Sequence, residues 1–329
     1  MPSSLSRDRL VFLLDAAPGL RIAIAGDAML DIYLRGDVDR ISPEAPVPVV
    51  RVRDRELALG GAANVAANVL ALGAGCELAC VVGTDAAGAQ VRSMLEAAGV
   101  EPRAVVATSR PTTTKTRVVA RAQQLLRFDE EEDVDVGDRD LAAILRAIDD
   151  AVADADALVL EDYNKGVLVP SVIEHAIGRA KTKGIPVVVD PKYRNFFSYR
   201  GATIFKPNRR ELEAAFGATV DFAHLDGLPG MVERLGAEHL VLTLSEHGMA
   251  VVSRGGAVHR IPPWAREVYD PVGAGDTVTA YLAIMLAAGA TILEAAEAAN
   301  LAAAVEVGKA GAATVTAEEL LEAFDASGR

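Results

Sequence analysis

Along most of the chain, short continuous runs of apolar and β-branched residues alternate with longer Ala-rich stretches whose apolar positions recur at helical spacing. The runs at 21–26, 76–83, 157–160, 186–190, 202–205 and 239–244 predict strands, and 61–73, 86–98, 138–153, 170–183, 208–217 and 228–236 predict helices between them. Strands that are apolar on both faces and separated by helices predict a mostly parallel central sheet with crossover helices on both faces. The expected fold class is therefore α/β and doubly wound. Two stretches break the alternation. Residues 32–53 and 111–129 show period-two patterning with no helix between partners, which predicts a small β-sheet flap or lid that could close over a site or form a dimer edge. Beyond 263 the pattern is helical, at 274–289, 291–308 and 316–325. No repeat, linker or low-complexity segment divides residues 1–329, so one domain with inserted flap strands is expected.

Charge narrows the partners. Lys plus Arg is 33 and Asp plus Glu is 46, a net −13, the wrong sign for wrapping nucleic acid or coating an anionic membrane. A polyanionic ligand must be gripped locally, by backbone amides, a few cations or a metal. Cys76 and Cys80 lack a second Cys/His cluster, and His175, His224, His239, His247 and His259 are scattered, so the thiols read as reduced core residues. The most apolar stretch, 280–293, is shorter than the ~20 residues of a membrane span and is followed by Glu294 and Glu297. A cytoplasmic protein with small-molecule partners is expected.

The sharpest local signal is Asp270-Pro-Val-Gly-Ala-Gly-Asp-Thr-Val-Thr-Ala280, an extended stretch that passes straight into an apolar helix. The turn Gly273-Ala274-Gly275 lets backbone amides approach an anion at a helix N-terminus. Asp276 in the first turn fits two roles equally on this segment alone, a helix-start residue or a general base facing a hydroxyl. The first strand ends in Gly26-Asp27, with Asp31 beyond it, where carboxylates of a doubly wound sheet face the ligand crevice. Gly60-Gly61 opens an Ala-rich helix carrying the polar Asn64, and helix–sheet packing alone does not require that asparagine. Asn208 and Glu211, three apart at a helix start, fit either a water-mediated Mg²⁺ site or an N-cap with its partner. The P-loop, G-x-G-x-x-G, G-x-S-x-G and H-E-x-x-H patterns are all absent.

In this order and spacing, Gly60-Gly61…Asn64, Asn208…Glu211 and Asp270…Gly273-Ala274-Gly275-Asp276 resemble the ribokinase-like (PfkB) carbohydrate kinases over nearly the whole chain. Within that family the likeness is to kinases acting on D-glycero-D-manno-heptose 7-phosphate. It is carried by Gly26-Asp-Ala-Met-Leu-Asp-Ile-Tyr33, Asp39-Arg-Ile-Ser-Pro-Glu-Ala-Pro-Val-Pro-Val49, Thr114-Lys-Thr-Arg117, Gln124-Leu-Leu-Arg127, Glu161-Asp-Tyr-Asn-Lys-Gly166 and Val189-Asp-Pro-Lys192. Many such kinases are fused to an adenylyltransferase with an H-x-G-H-type motif, which this sequence lacks, so it resembles the stand-alone form. It departs from the pattern at Tyr193, where glycine is usual, and at Lys206, where threonine is usual.

The resemblance implies ATP-dependent phosphorylation of the anomeric hydroxyl in ADP-heptose biosynthesis, toward lipopolysaccharide. Asp276 would be the base, in the catalytic turn with Gly273, Ala274 and Gly275, and the amides of Ala274, Gly275 and Asp276 would surround the transferred phosphoryl group. Asp27, Asp31, Gly60, Gly61, Asn64, Glu161 and Asp162 would hold the sugar. Lys165 and Lys192 would meet phosphates, and Arg40, Arg117 or Arg127 of the flap would reach the 7-phosphate. Asn208 and Glu211 would organise Mg²⁺ through water, and Arg209, Arg210, Thr243, Ser245, Glu246, Gly248 and Asn300 would line the ATP groove. Asp270 and Val272, with 305–311, would bind an activating K⁺, and a homodimer is implied. Another ribokinase-like kinase, or a non-catalytic sugar-phosphate binder, remains the alternative; a pure binder needs no base.

Overall fold

The computed structural model describes residues 5–100, 105–121, 123–221, 224–264 and 269–327. The strands are β1 (Arg21–Gly26), β2 (Ala28–Ile41), β3 (Pro48–Gly61), β4 (Gly75–Gly83), β5 (Val105–Thr108), β6 (Thr114–Ala120), β7 (Gln123–Glu130), β8 (Ala157–Glu161), β9 (Val187–Asp190), β10 (Ile204–Phe205), β11 (His239–Thr243), β12 (Met249–Ser253) and β13 (Val258–Ile261). The helices are α1 (Arg7–Ala16), α2 (Ala62–Ala71), α3 (Ala86–Ala98), α4 (Asp138–Ala153), α5 (Pro170–Lys183), α6 (Arg209–Phe216), α7 (Leu228–Leu235), α8 (Ala274–Ala287), α9 (Ile292–Glu306) and α10 (Ala317–Ala326).

Nine strands form the main sheet in the order β13-β12-β11-β10-β9-β8-β1-β4-β5, parallel except for the β11-β12-β13 edge. Alternation along β1 explains its two-sided burial. Ile22 and Ile24 join a core beneath α1, α2, α8, α9 and α10, while Ala23 and Ala25 join the opposite core beneath α4, α5 and α7. Both cysteines are buried here, and burial pushes their thiols well above the ordinary range, to about 12 for Cys80.

β1, β8 and β9 run in register, so Gly26 pairs with Glu161 and Glu161 with Asp190 at their C-terminal ends. Those ends form one edge, and α8 packs across β8 and β9 beside it. Register alone therefore collects acidic residues where a ligand crevice is expected.

The flap is a second, four-stranded sheet, β3-β2-β6-β7. It is longer than the pattern indicated. β2 begins at Ala28, with only Asp27 between it and the end of β1, because Ala28–Tyr33 are buried on both faces and show no polar alternation. It is also mixed, since β2 pairs parallel with β6 while β2-β3 and β6-β7 are antiparallel. Its two faces differ in chemistry. Residues in register at Asp31, Lys115 and Asp129, and next to them at Tyr33, Arg117 and Arg127, share one charged face; Ile32, Leu34, Val118, Leu126 and Phe128 share the other. Strands β5, β12 and β13 go beyond those predicted; each has only four or five residues.

Candidate functional site

α8 starts where Gly273 adopts φ +99, a left-handed conformation, and a Cβ there would stand 2.9 Å from Glu306 Oε1. The first helical bond runs from Thr277 N–H to the Gly273 carbonyl, so the amides of Ala274, Gly275 and Asp276 have no partner within the helix. No side chain caps this end. Asp276 instead turns away from its own helix. Its Oδ2 accepts from Asn64 Nδ2 at 2.8 Å and its Oδ1 from the Tyr163 hydroxyl at 2.7 Å. The helix-start reading is thereby set aside in favour of a carboxylate held by two other segments. Burial raises the Asp276 carboxyl to about 6, against the pull of the two hydrogen bonds, with Asp190 raising it further and Lys206 opposing.

Glu161, Asp190 and Asp276 each place a carboxylate oxygen within 4.8 Å of the others. Glu161 is completely buried and neither of its oxygens has a hydrogen-bond partner among the described residues. Burial, then the charges of Asp190 and Asp276, drive its carboxyl far above the usual range. An orphaned buried carboxylate facing two more acids fits a divalent cation. Lys206 lies beside them, 2.8 Å from Asp190 Oδ2, and a Cβ on Gly275 would be 3.8 Å from its ammonium. Burial pulls this ammonium down, yet Asp190 and Glu161 outweigh it and the net shift is upward. The Lys206 departure thus puts a charged lysine at the start of α8.

Asn208 and Glu211 resolve first as a capping box on α6: Asn208 Oδ1 accepts from Glu211 N–H at 2.9 Å and Glu211 Oε2 from Asn208 N–H at 2.8 Å. Glu211 Oε1 meets Lys192 Nζ, so both of its oxygens are engaged, which leaves the water-mediated position expected for it toward Mg²⁺. Burial lowers the Lys192 ammonium, but Asp190 and Glu211 raise it more, and it stays charged. Asn208, Arg209, Arg210, Ser245, Glu246 and His247 line a groove of about 430 Å³. Thr243 stands at its edge through a bridge to Asn208, and Gly248 makes the following turn at φ +80. Asn300 lies behind this region, donating to the Pro262 carbonyl at 2.8 Å.

Two predicted sugar ligands prove to be loop braces. Asp27 accepts from the backbone N–H groups of Tyr163, Lys165 and Val167, and Asp162 from Asn164 N–H and the Tyr199 hydroxyl. Their buried carboxylates hold residues 162–167 in place, which corrects their assignment to sugar hydroxyls. Burial and the charge of Asp27 raise Asp162 to about 6.

Asp31 is buried and pairs with Arg117 at 2.6 Å; a Cβ on Gly60 would be 2.7 Å from its Oδ2. Gly61, at φ +59, turns the chain from β3 into α2 and sets Asn64 on the first turn. Asp31, Gly60, Gly61 and Asn64 therefore border one space next to Asp276. Lys165 pairs with Glu131 at 2.8 Å. Arg127 shares the Arg117 face but is exposed and paired with Asp129 at 3.1 Å. Arg40 lies nine residues along β2 from Asp31, about 30 Å away at strand rise, and does not reach the crevice. Tyr193 is 69% exposed, so its ring does not narrow the crevice.

Asp270 joins the two expected segments: its Oδ1 accepts from Val272 N–H and its Oδ2 from Gly311 N–H, both at 3.0 Å. Sequence reasoning missed Asp190, Tyr163 and Glu306 as site residues. Asp190 was legible as the last residue of a core strand, the position that made Asp27 and Glu161 candidates.

The architecture is that of a ribokinase-like kinase. Residues 20–319 match the model of the pfkB family carbohydrate kinases, and the chain belongs to that family. Solved structures agree in fold. Arabidopsis thaliana ribokinase complexed with ribose and ATP superposes with a TM-score of 0.72 at 22% identity, covering 93% of this chain and 98% of that one. Escherichia coli phosphofructokinase-2 in complex with potassium reaches 0.79 at 20% identity, covering 94% and 100%. Among curated relatives, the bifunctional protein HldE of Caulobacter vibrioides is 46% identical over 95% of this chain and 65% of its own length. HldE of Rhodospirillum rubrum is 44% identical over 92% and 62%. The chain thus spans somewhat less than two thirds of these relatives. No helix among the described residues is long and apolar enough to cross a membrane.

Proposed function

We propose that this protein transfers the γ-phosphoryl group of ATP to the anomeric C1 hydroxyl of D-glycero-D-manno-heptose 7-phosphate, giving the 1,7-bisphosphate and ADP for ADP-heptose synthesis. The single observation that carries the chemistry is Asp276, a buried carboxylate turned off its own helix and set beside three free amides. Similarity to the HldE proteins supports the choice of sugar.

In this reading Asp31, Gly60, Gly61 and Asn64 border the sugar. Asp276 takes the proton from C1–OH as that oxygen bonds to the γ-phosphorus and the bond to ADP breaks. The amides of Ala274, Gly275 and Asp276, with the Lys206 ammonium, face the charge on the transferred group. Mg²⁺, when bound, neutralises phosphate charge; Glu161 and Asp190 fit it as buried carboxylates, with Asn208 and Glu211 reaching it through water. The groove along Arg209, Arg210 and Glu246 takes the nucleotide. Asp270 and Val272 belong to a K⁺ site that orders the loop before α8. A homodimer would cover the apolar flap face, where Leu126 and Phe128 are exposed.

An ADP-release assay with Mg-ATP and K⁺ tests the substrate against heptose 7-phosphate, fructose 6-phosphate, sedoheptulose 7-phosphate, ribose and adenosine. Turnover confined to heptose 7-phosphate is expected. Preference for another acceptor would keep the base and move the substrate, and silence across the panel would favour a non-catalytic binder.

A further inference from the structure

The Tyr163 ring has two ammonium groups near it. Lys192 Nζ lies 5.0 Å from its centroid and is paired with Glu211 on the α6 side. Lys115 Nζ lies 4.8 Å from the same centroid and comes from the flap. The two lysines differ in one respect: Lys192 has a carboxylate, whereas among the described residues no side-chain or backbone oxygen hydrogen-bonds or ion-pairs with Lys115 Nζ.

That lack is costly where Lys115 sits. It is half-buried on the charged flap face, level with Asp31 and two residues along β6 from Arg117. Asp31 is already held by Arg117, and Asp129 and Glu131 by Arg127 and Lys165. Burial lowers the Lys115 ammonium, and the nearby Lys165 charge lowers it again, against the pull of Asp31, Asp129 and Glu131. Two neighbouring ammonium groups whose close carboxylates are each shared with another cation are stabilised by a bound anion, and by a dianion most. Such an anion stands at the flap lysine, beside the Tyr163 ring. It lies one tyrosine ring and one hydrogen bond from the reacting oxygen at Asp276, because the Tyr163 hydroxyl is bonded to that carboxylate. The two ends of one acceptor molecule then meet two fixed points, its hydroxyl at Asp276 and its anion at Lys115.

We propose that Lys115 is a specificity-determining residue that receives the phosphate monoester of the acceptor sugar. The inference rests on the sugar-phosphate kinase reading and adds to it the residue that distinguishes a phosphorylated acceptor from a plain sugar. It also moves the main phosphate contact from the flap arginines, of which Arg117 is committed to Asp31.

The test is steady-state kinetics of Lys115→Met and Lys115→Arg with each acceptor offered in phosphorylated and unphosphorylated form. For Lys115→Met, KM for the sugar phosphate is expected to rise about 10- to 100-fold, the loss of one charge-assisted contact, with KM for ATP unchanged. Lys115→Arg restores most of the affinity, and kcat/KM for the unphosphorylated sugar is the same in all three proteins. Equal losses on both acceptor forms, or a rise in KM for ATP instead, would overturn the proposal. So would a wild-type protein that prefers plain sugars. If fructose 6-phosphate or sedoheptulose 7-phosphate is the acceptor used, the heptose assignment fails while the same Met/Arg comparison, run on that sugar phosphate, still decides Lys115. If no acceptor turns over, calorimetric titration with heptose 7-phosphate and with inorganic phosphate replaces kinetics: binding by wild type lost in Lys115→Met upholds the proposal, and equal binding or none overturns it.

Discussion

Two helices begin at this crevice with an acid in the first turn, and they use it in opposite ways. On α6, Glu211 folds back onto the Asn208 amide and Asn208 onto the Glu211 amide, so two of the orphan N–H groups are satisfied from within. On α8, Asp276 points away, to Asn64 and Tyr163, and the amides of its first turn are left open. The α6 arrangement stabilises the helix; the α8 arrangement leaves an anion site and a desolvated carboxylate side by side. A helix start that forgoes its own cap next to a ligand crevice is built for something other than stability.

The comparison breaks most visibly at Asp276. Asp276→Asn keeps the size and removes the base, and turnover is expected to fall about 10³-fold or more, with ATP affinity measured by calorimetry largely retained. In the wild type, kcat/KM should fall as pH drops through about 6, where this carboxyl takes up its proton and can no longer accept one from the sugar. Near-normal turnover by the asparagine variant would return Asp276 to a structural role.

The opposite helix sharpens it. Asn208→Ala removes a cap, and its expected cost is about 1 kcal/mol of unfolding free energy by urea denaturation. Asn208→Ser retains the capping oxygen and should be close to neutral in stability. If Asn208 also holds water on Mg²⁺, both variants need several-fold more Mg²⁺ for half-maximal rate. A change in stability with no change in Mg²⁺ requirement would confine α6 to its capping box.

How much of this was legible in the sequence follows from where information is local. The core strands 21–26 and 239–244 are continuous apolar runs, and the helices at 274–289 and 291–308 carry their own periodicity, so α/β architecture could be read directly. The four-residue strand β5 and the edge strands β12 and β13 gain order from their neighbours in the sheet, which a single sequence does not display. At the site, Asp276 and Asn64 were readable as polar residues at helix starts, but their hydrogen bond joins residues 212 apart. Asp27 and Asp162 looked like ligands for the same reason Asp190 should have: each follows or ends a parallel strand. Only the structure shows that Asp27 is committed to the 162–167 backbone, Asp162 to Asn164 N–H and the Tyr199 hydroxyl, and that Asp190, paired with Lys206, is turned to Glu161 and Asp276. Position at a strand end selects candidates; the remaining hydrogen-bonding capacity of each carboxylate separates braces from ligands.

Glu306 gives the finest probe of the α8 start. It is completely buried with its carboxylate under Gly273, and neither oxygen makes a hydrogen bond of normal geometry. Burial, then the charges of Asp276 and Asp270, raise its carboxyl from 4.5 to about 8, so the open helix end does not compensate it fully. Between those values the folded protein holds a proton that the unfolded chain has released, and stability must therefore decline as pH rises from about 4.5 to 8. Glu306→Gln removes that proton from the balance. In buffer with tetramethylammonium as the only cation, the variant should melt with the wild type near pH 4.5 and about 5 °C or more above it at pH 8.5. Adding K⁺ should narrow the gap if a cation entering beside Asp270 neutralises the Glu306 charge. A melting difference that is the same at both pH values would mean that Glu306 is ionised throughout, and that the α8 start stabilises acids as well as α6 does.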